Sequence, residues 1–246
     1  MPTYRDEAVV LRAHKLGEAD RILTLLSRQH GKIRAVARGV RRTSSKFGGR
    51  LEPFSHVDLQ FANGRSLDVV TQAVTLHAYS EPLGGDYQAY TSGQVILETA
   101  DRLVVEEREP AIRQYLLLVG ALNALTSGTN DGPRPASMIM DSYLLRAVAV
   151  AGYAPSLADC ARCGAEGPHE AFSPASGGVV CRRCRPPGSA MPGPAVLAYL
   201  TSLLCGDWSA TRGVDDATRR VGSGLVSAFA SWHLDRGLRS LSHVER

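Results

Sequence analysis

The 246 residues are 44% hydrophobic and 21% charged, the balance of a soluble globular chain with room for one large domain or two modest ones. No apolar run approaches the roughly 20 residues of a membrane span, and the charged start MPTYRDEAVVLRAHK lacks the apolar stretch of an export signal, so a cytosolic protein is expected. The net charge of +4 is unevenly spread: residues 1–80 hold thirteen basic and seven acidic side chains, a net +6, whereas the rest carries −2. That asymmetry points to a front half that meets a polyanion.

The first 80 residues read as strands. EAVVLR (7–12) and RILTLLS (21–27) are short apolar runs broken by the turn Gly17-Glu18-Ala19-Asp20. Gly31 to Arg38 alternates, placing Ile33 and Ala35 opposite Lys32 and Arg34. Val57, Leu59 and Phe61 alternate with His56, Asp58 and Gln60. Asn63-Gly64 then signals a tight hairpin, because both positions tolerate positive φ, and its partner strand follows as Leu67, Val69, Thr71 and Ala73. Five short strands in so few residues predict a small closed barrel.

After residue 80 the period changes. Ile112, Tyr115, Leu116, Val119 and Leu122 recur at i, i+3, i+4, i+7 and i+10, one face of a helix. Segments near 89–107, 136–152, 195–205 and 215–236 are also helical in composition, the second of them apolar nearly all round and so expected to be buried. SGTNDGPRP (127–135) is a loop by its turn residues. The expected organisation is α+β: a barrel domain over 1–80, then a helical domain over 81–246 with an insertion at 155–188 rich in Gly, Pro and Cys.

That insertion contains Cys160-Ala-Arg-Cys163 and, after 17 residues, Cys181-Arg-Arg-Cys184. Each CxxC turn points two thiolates at one ion, and two such knuckles complete a tetrahedron, so structural zinc is expected, one per chain. Four thiolates leave no open position for water or substrate. The segment between holds few large apolar residues (Phe172, Val179, Val180), so metal would have to organise it. Disulfides would suit an exported chain with an even cysteine count, and a redox CxxC stands alone; neither fits five cysteines in this arrangement. His169 could replace a ligand, though nothing favours it, and Cys205 in an apolar helical stretch reads as a core residue.

No catalytic constellation is evident. GxxxxGK[ST], GxSxG and HExxH are absent, the seven histidines are scattered, and Glu106-Glu107 with Glu109 reads as a solvated acidic face. The positive charge, by contrast, is concentrated. GKIRAVARGVRRTSSKFGGR (31–50) holds Lys32, Arg34, Arg38, Arg41, Arg42, Lys46 and Arg50 without one acid. On a small barrel, strand faces and flanking loops are where nucleic acid binds, so these seven are the expected phosphate contacts, and Phe47 among them is a candidate base-stacking ring. The competing reading makes the cations a solvated surface and Phe47 an anchor of the loop.

The same residues carry a resemblance. EAVVLR (7–12), GEADRILTLLSRQHGK (17–32), AVARGVRRTSSKFGGRLEPF (35–54) and LLRAVAVAGYAPSLADCARCG (144–164) resemble the RecO family of bacterial recombination mediators. The resemblance implies an N-terminal OB-fold barrel and a helical domain interrupted by a zinc module. It implies a non-enzymatic cytoplasmic, nucleoid-associated protein of DNA repair. Such a protein would bind single- and double-stranded DNA and anneal complementary strands. With RecR it would help load recombinase onto strands coated by single-stranded-DNA-binding protein (SSB). An RNA-binding or RNA-chaperone protein is the alternative from barrel and charge alone, and a nuclease the next.

Overall fold

The computed structural model describes residues 2–234 and 237–244. The chain divides into two compact units, Met1–Thr126 and Ser127–Arg246. In the first, five strands form a closed barrel: β1 (Thr3–Leu16), β2 (Asp20–Ser27), β3 (Gly31–Ala37), β4 (Ser55–Ala62) and β5 (Asp68–Ala78), in spatial order β1-β2-β3-β5-β4. This is the OB-fold arrangement the resemblance implied. β1 is long enough to pair with both β2 and β4, bending at a bulge between Val10 and Arg12.

The alternation read from the sequence holds on two strands. In β3, Ile33 and Ala35 are buried while Arg34 is exposed; in β4, Val57, Leu59 and Phe61 are buried between half-buried neighbours. With Val10, Leu23 and Leu25 these side chains fill the barrel. Each aliphatic residue so buried contributes about 1.5–3 kcal/mol.

On β5 the structure differs from the expectation. The two-residue hairpin is instead a connection over 63–67, with Ala62↔Val69 the last pair. Asp68 and Val70 turn inward in place of Leu67, Val69 and Thr71. A bulge that leaves Thr71 unmatched between Gln60 and Phe61 then brings Ala73 to the core side. The reason is the Asp68 carboxylate, fully buried and held by the Tyr4 hydroxyl (2.5 Å), the Gly64 N–H (3.2 Å) and the Arg108 guanidinium (2.6 Å). Burial, and then the hydrogen bond to Asp68, hold the Tyr4 phenol well above its ordinary range.

β3 and β5 pair over two positions only, Ala35↔Asp68 and Val36↔Val69. The rest of the seam is closed by the chain at 104–111. Glu107 bridges Lys32, the Arg108 N–H donates to the Lys32 carbonyl at 2.9 Å, and Arg108 reaches Asp68. Gly31 sits so close that a Cβ there would stand 1.8 Å from the Glu109 carbonyl oxygen. The backbone of the acidic run therefore fills the seam, while the side chains of Glu106, Glu107 and Glu109 stay exposed as expected, Glu107 facing Arg34.

Three helices complete the unit: α1 (Ser80–Gly84), α2 (Tyr87–Leu103) and α3 (Ile112–Ser127). Asp86 caps α2 through the Ala89 N–H. Gly93 lets α2 approach the barrel at Phe54, whose ring would lie 2.7 Å from a Cβ at that position. The helix at 112–127 is where it was expected, but its buried stripe is Gln114, Tyr115, Leu118, Ala121 and Leu122, leaving Ile112 and Leu116 exposed. The segment is apolar on nearly every side, so its period could not decide which face packs.

In the second unit, α4 (Ala136–Val150) is buried nearly all round, as its composition requires, and packs against α5 (Pro194–Cys205) and α6 (Asp216–His233). Gly222 permits the close α5–α6 approach: a Cβ there would lie 2.8 Å from the Tyr199 ring. A short hairpin, β6 (Ala171–Ser173) and β7 (Gly178–Val180), carries the cysteine module and docks on α6 through Phe172 against Phe229, centroids 6.0 Å apart.

Candidate metal centre and nucleic-acid interface

The sulfurs of Cys160, Cys163, Cys181 and Cys184 all lie within 4.8 Å of one another. A tetrahedral tetrathiolate zinc with bonds of about 2.3 Å has sulfurs ~3.8 Å apart; Cys163 and Cys181 are 3.9 Å apart. The four residues thus fit a metal ion, and the soft donor set fits zinc. Local structure sets each knuckle. The Gly164 N–H donates to the Cys160 carbonyl at 2.8 Å with Gly164 at φ +70°, and the Cys184 N–H closes on the Cys181 carbonyl at 3.1 Å. The two knuckles are tied together by the Cys181 N–H, which donates to the Cys160 sulfur at 3.4 Å.

The protonation of these thiols shows what a cation would change. The Cys181 N–H foremost, with the backbone of Cys163 and Arg162, draws the Cys160 thiol down to about 6 against the opposing effect of burial. Cys184 is pushed up to about 12 by its hydrogen bonds to Cys163 and Cys181, then by burial and the neighbouring Cys160. Cys160 is thus drawn towards thiolate and Cys184 towards thiol, and a divalent cation would offset the repulsion of four thiolates brought together. His169 stands apart from the cluster, its Nε2 2.9 Å from the Ala165 carbonyl. Cys205 is exposed, contrary to the core position expected of it. It is the last residue of α5, off the buried stripe of Val196, Tyr199, Leu200 and Leu203.

The basic stretch separates into two kinds of cation. Lys32 is spent internally: its ammonium meets the Asp101 carboxylate at 2.8 Å and the Asp101 carbonyl at 2.6 Å, and its side chain is 13% exposed. Arg34 faces Glu107 at 3.8 Å. Arg38, Arg41, Arg42, Lys46 and Arg50 are exposed, and none meets a carboxylate among the described residues. Elsewhere in the unit Arg5, Arg12, Arg21, Arg28 and Arg108 all pair with acids. Lys15, Arg65 and Arg113 are also exposed without a carboxylate among the described residues, but they stand singly, whereas five such cations lie on the β3–β4 connection.

That connection is held in place. The Gly39 N–H donates to Asp20 at 2.7 Å and the Arg41 N–H to the Ala19 carbonyl at 2.9 Å, fixing one end to the β1–β2 turn. The Lys46 ammonium fixes the other to the Thr71 carbonyl on β5 at 2.8 Å. Phe47 is not a stacking surface. It is 2% exposed within the barrel core, with Lys46 over its ring at 5.1 Å. A large apolar ring in a loop gains more from burial than from waiting for a base, and the polar neighbours that made it look exposed are what carry the loop over it.

The histidines are less scattered than the sequence implied. His56, His77, Tyr79 and Tyr115 gather beside the barrel, with His56 Nε2 2.8 Å from the Tyr115 hydroxyl and the His56 and Tyr79 rings 6.5 Å apart. Burial lowers the His56 pKa, with Glu7 opposing.

Two family descriptions match the chain: Recombination protein O N terminal over residues 1–79, and Recombination protein O C terminal over residues 84–242. The chain belongs to the RecO family. Members with the name DNA repair protein RecO include that of Cutibacterium acnes, 62% identical over 246 residues and covering 100% of both chains. That of Nocardioides sp. is 58% identical with 99% of each chain covered, and that of Thermobifida fusca 54% identical with 100% covered. RecO membership places the chain among recombination and DNA repair proteins. Among the described residues no helix is long and apolar enough to cross a membrane.

Proposed function

We propose that the chain is a non-enzymatic mediator of DNA repair and recombination in the bacterial cytoplasm, nucleoid-associated, that binds single- and double-stranded DNA through the β3–β4 connection. The observation that carries this is five exposed cations without an acidic partner, Arg38, Arg41, Arg42, Lys46 and Arg50, on a loop tied down at both ends. Arg and Lys there neutralise phosphates and leave base edges free, so binding is independent of sequence. Annealing needs no bond to be made or broken: the cations offset the repulsion of two backbones while exposed bases find their complements. With RecR, the protein would open SSB-coated strands to recombinase. One zinc per chain, held by Cys160, Cys163, Cys181 and Cys184, would supply structure alone, since four thiolates close its coordination.

The test is annealing of complementary SSB-coated strands, with and without RecR. Acceleration by the chain, lost on replacing the loop cations, is expected; failure to bind or anneal DNA, or affinity for RNA of the same sequence well above that for DNA, overturns the reading.

A further inference from the structure

The second unit carries its own set of unanswered cations. Arg162 lies in the first CxxC, Arg182 and Arg183 in the second, and Arg185 directly after it; all four are exposed and none meets a carboxylate among the described residues. Elsewhere in the unit Arg134 and Arg212 pair with Asp131 and Arg219 pairs with Asp216, while Arg146 and Arg220 stand singly without a carboxylate among the described residues; only at the knuckle are such cations gathered. The sulfur cluster draws the two loops together, so a single metal centre brings the loop of Arg162 beside the loop that carries Arg182, Arg183 and Arg185. Beside the second knuckle and the hairpin lies an open cleft of about 350 Å³ whose lining includes Arg182, Arg185, His169 and Met191, with Arg162 and Arg183 outside it. Arg185 is steadied by Met191 at 3.6 Å, and the His169 ring by the Ala165 carbonyl. Glu170 lines the same cleft, and Glu166 and Asp159 are exposed beside the first knuckle, so the positive charge is centred on the second knuckle loop.

We propose that the metal knuckle is a second nucleic-acid contact, a phosphodiester-backbone site formed by Arg162, Arg182, Arg183 and Arg185. It rests on the DNA-binding reading above and adds a surface on the second unit. Guanidinium forks match phosphate oxygens two at a time, and four like charges held close repel one another until a polyanion arrives. With one site on the barrel and one on the knuckle, a single chain would have phosphate contacts on each unit, in addition to the loop cations that already offset strand repulsion. The metal acts here as a scaffold and touches no nucleic acid.

The competing role is internal: guanidinium groups beside a tetrathiolate could serve only to stabilise its negative charge. The experiment separates the two. Metal-replete protein is titrated with salt against a fluorescent single-stranded oligonucleotide, for wild type, for Arg182→Ala/Arg183→Ala/Arg185→Ala, and for the same three positions changed to Lys. Metal content is measured in the same samples. The Ala triple should lower the salt slope by up to ~2.1, and the Lys triple should restore it, since phosphate neutralisation needs charge. A slope unchanged in the Ala triple overturns the proposal. So does a slope that changes only in step with lost metal. Should the Ala triple fall short of metal, Arg185→Ala alone, fully loaded, must still lower the slope by up to ~0.7, or the proposal fails. Absence of binding by the wild type sinks the DNA-binding reading itself; binding that Arg41→Ala/Arg42→Ala weakens and the knuckle variants do not sinks only this inference.

Discussion

Replacing Arg41 and Arg42 with Ala takes away two of the five loop cations that have no acidic partner, and the loss can be sized from the structure. If all five meet phosphates, the logarithm of affinity for a single strand should fall with the logarithm of salt by about 0.7 per contact, so the loop alone supplies a slope of about −3.5 and the knuckle contacts add to it. Through the loop contacts alone, a fourfold rise in salt weakens binding roughly a hundredfold. The double variant should show a slope reduced by up to ~1.4, equally for every oligonucleotide sequence, because phosphates carry no sequence information. The two residues' own bonds run to backbone carbonyls or to none, so stability should change little. Lys32→Ala provides the contrast. Its ammonium is held by Asp101, so the slope should stay, while stability falls by about 1.5–3 kcal/mol for the lost charged hydrogen bonds. The assay is a salt titration by fluorescence anisotropy, with thermal melts of the same preparations. The reasoning is refuted if the double Arg variant keeps its slope, or if Lys32→Ala loses as much slope as the double variant does.

Cys181→Ser should lower bound zinc measured by elemental analysis and destabilise the second unit while barrel-mediated binding persists; a full complement of metal would count against the tetrathiolate. Phe47→Ala should cost about 3–5 kcal/mol in chemical denaturation, as for other buried aromatic rings, with the salt slope unchanged. Weakened binding at unchanged stability would return Phe47 to the DNA surface. His56 binds a proton less readily folded than unfolded, so its contribution is intact above the unfolded pKa of about 6.5 and is lost as pH falls from there through the lower folded value. Melts between pH 8 and 5 should therefore fall less steeply for His56→Gln than for wild type; identical pH profiles would refute the assignment.

The strands, helices and cysteine ligand set were legible because each rests on a local signal: period 2 in β3 and β4, a composition apolar all round in α4, a fixed spacing in the two CxxC turns. What was not legible depends on partners far away in sequence. Asp68 reads as a strand-end polar residue, and only Tyr4 and Arg108, 64 and 40 residues away, explain why it turns inward. Phe47 was misjudged from its charged neighbours, which say nothing about what lies beneath the loop. Lys32 and Arg38 look equivalent in the sequence, yet one is bound to Asp101, 69 residues on, and the other has no acidic partner. The α3 stripe failed for a different reason: with apolar residues on several sides, period carries no preference among faces.

The seam between β3 and β5 bears on how the chain comes into being. During synthesis all five strands are complete thirty residues before Arg108 is made, so for that interval the sheet has an open edge along the start of β3 and an acid at Asp68 without its cation. A nascent edge of this kind is a template for pairing with another chain. The family description for the N terminus ends at residue 79, but the closing segment lies beyond it, at 104–111. A fragment cut at the family boundary would thus be a sheet missing its clasp, prone to self-association, whereas one carried through to Thr126 would bring the clasp with it.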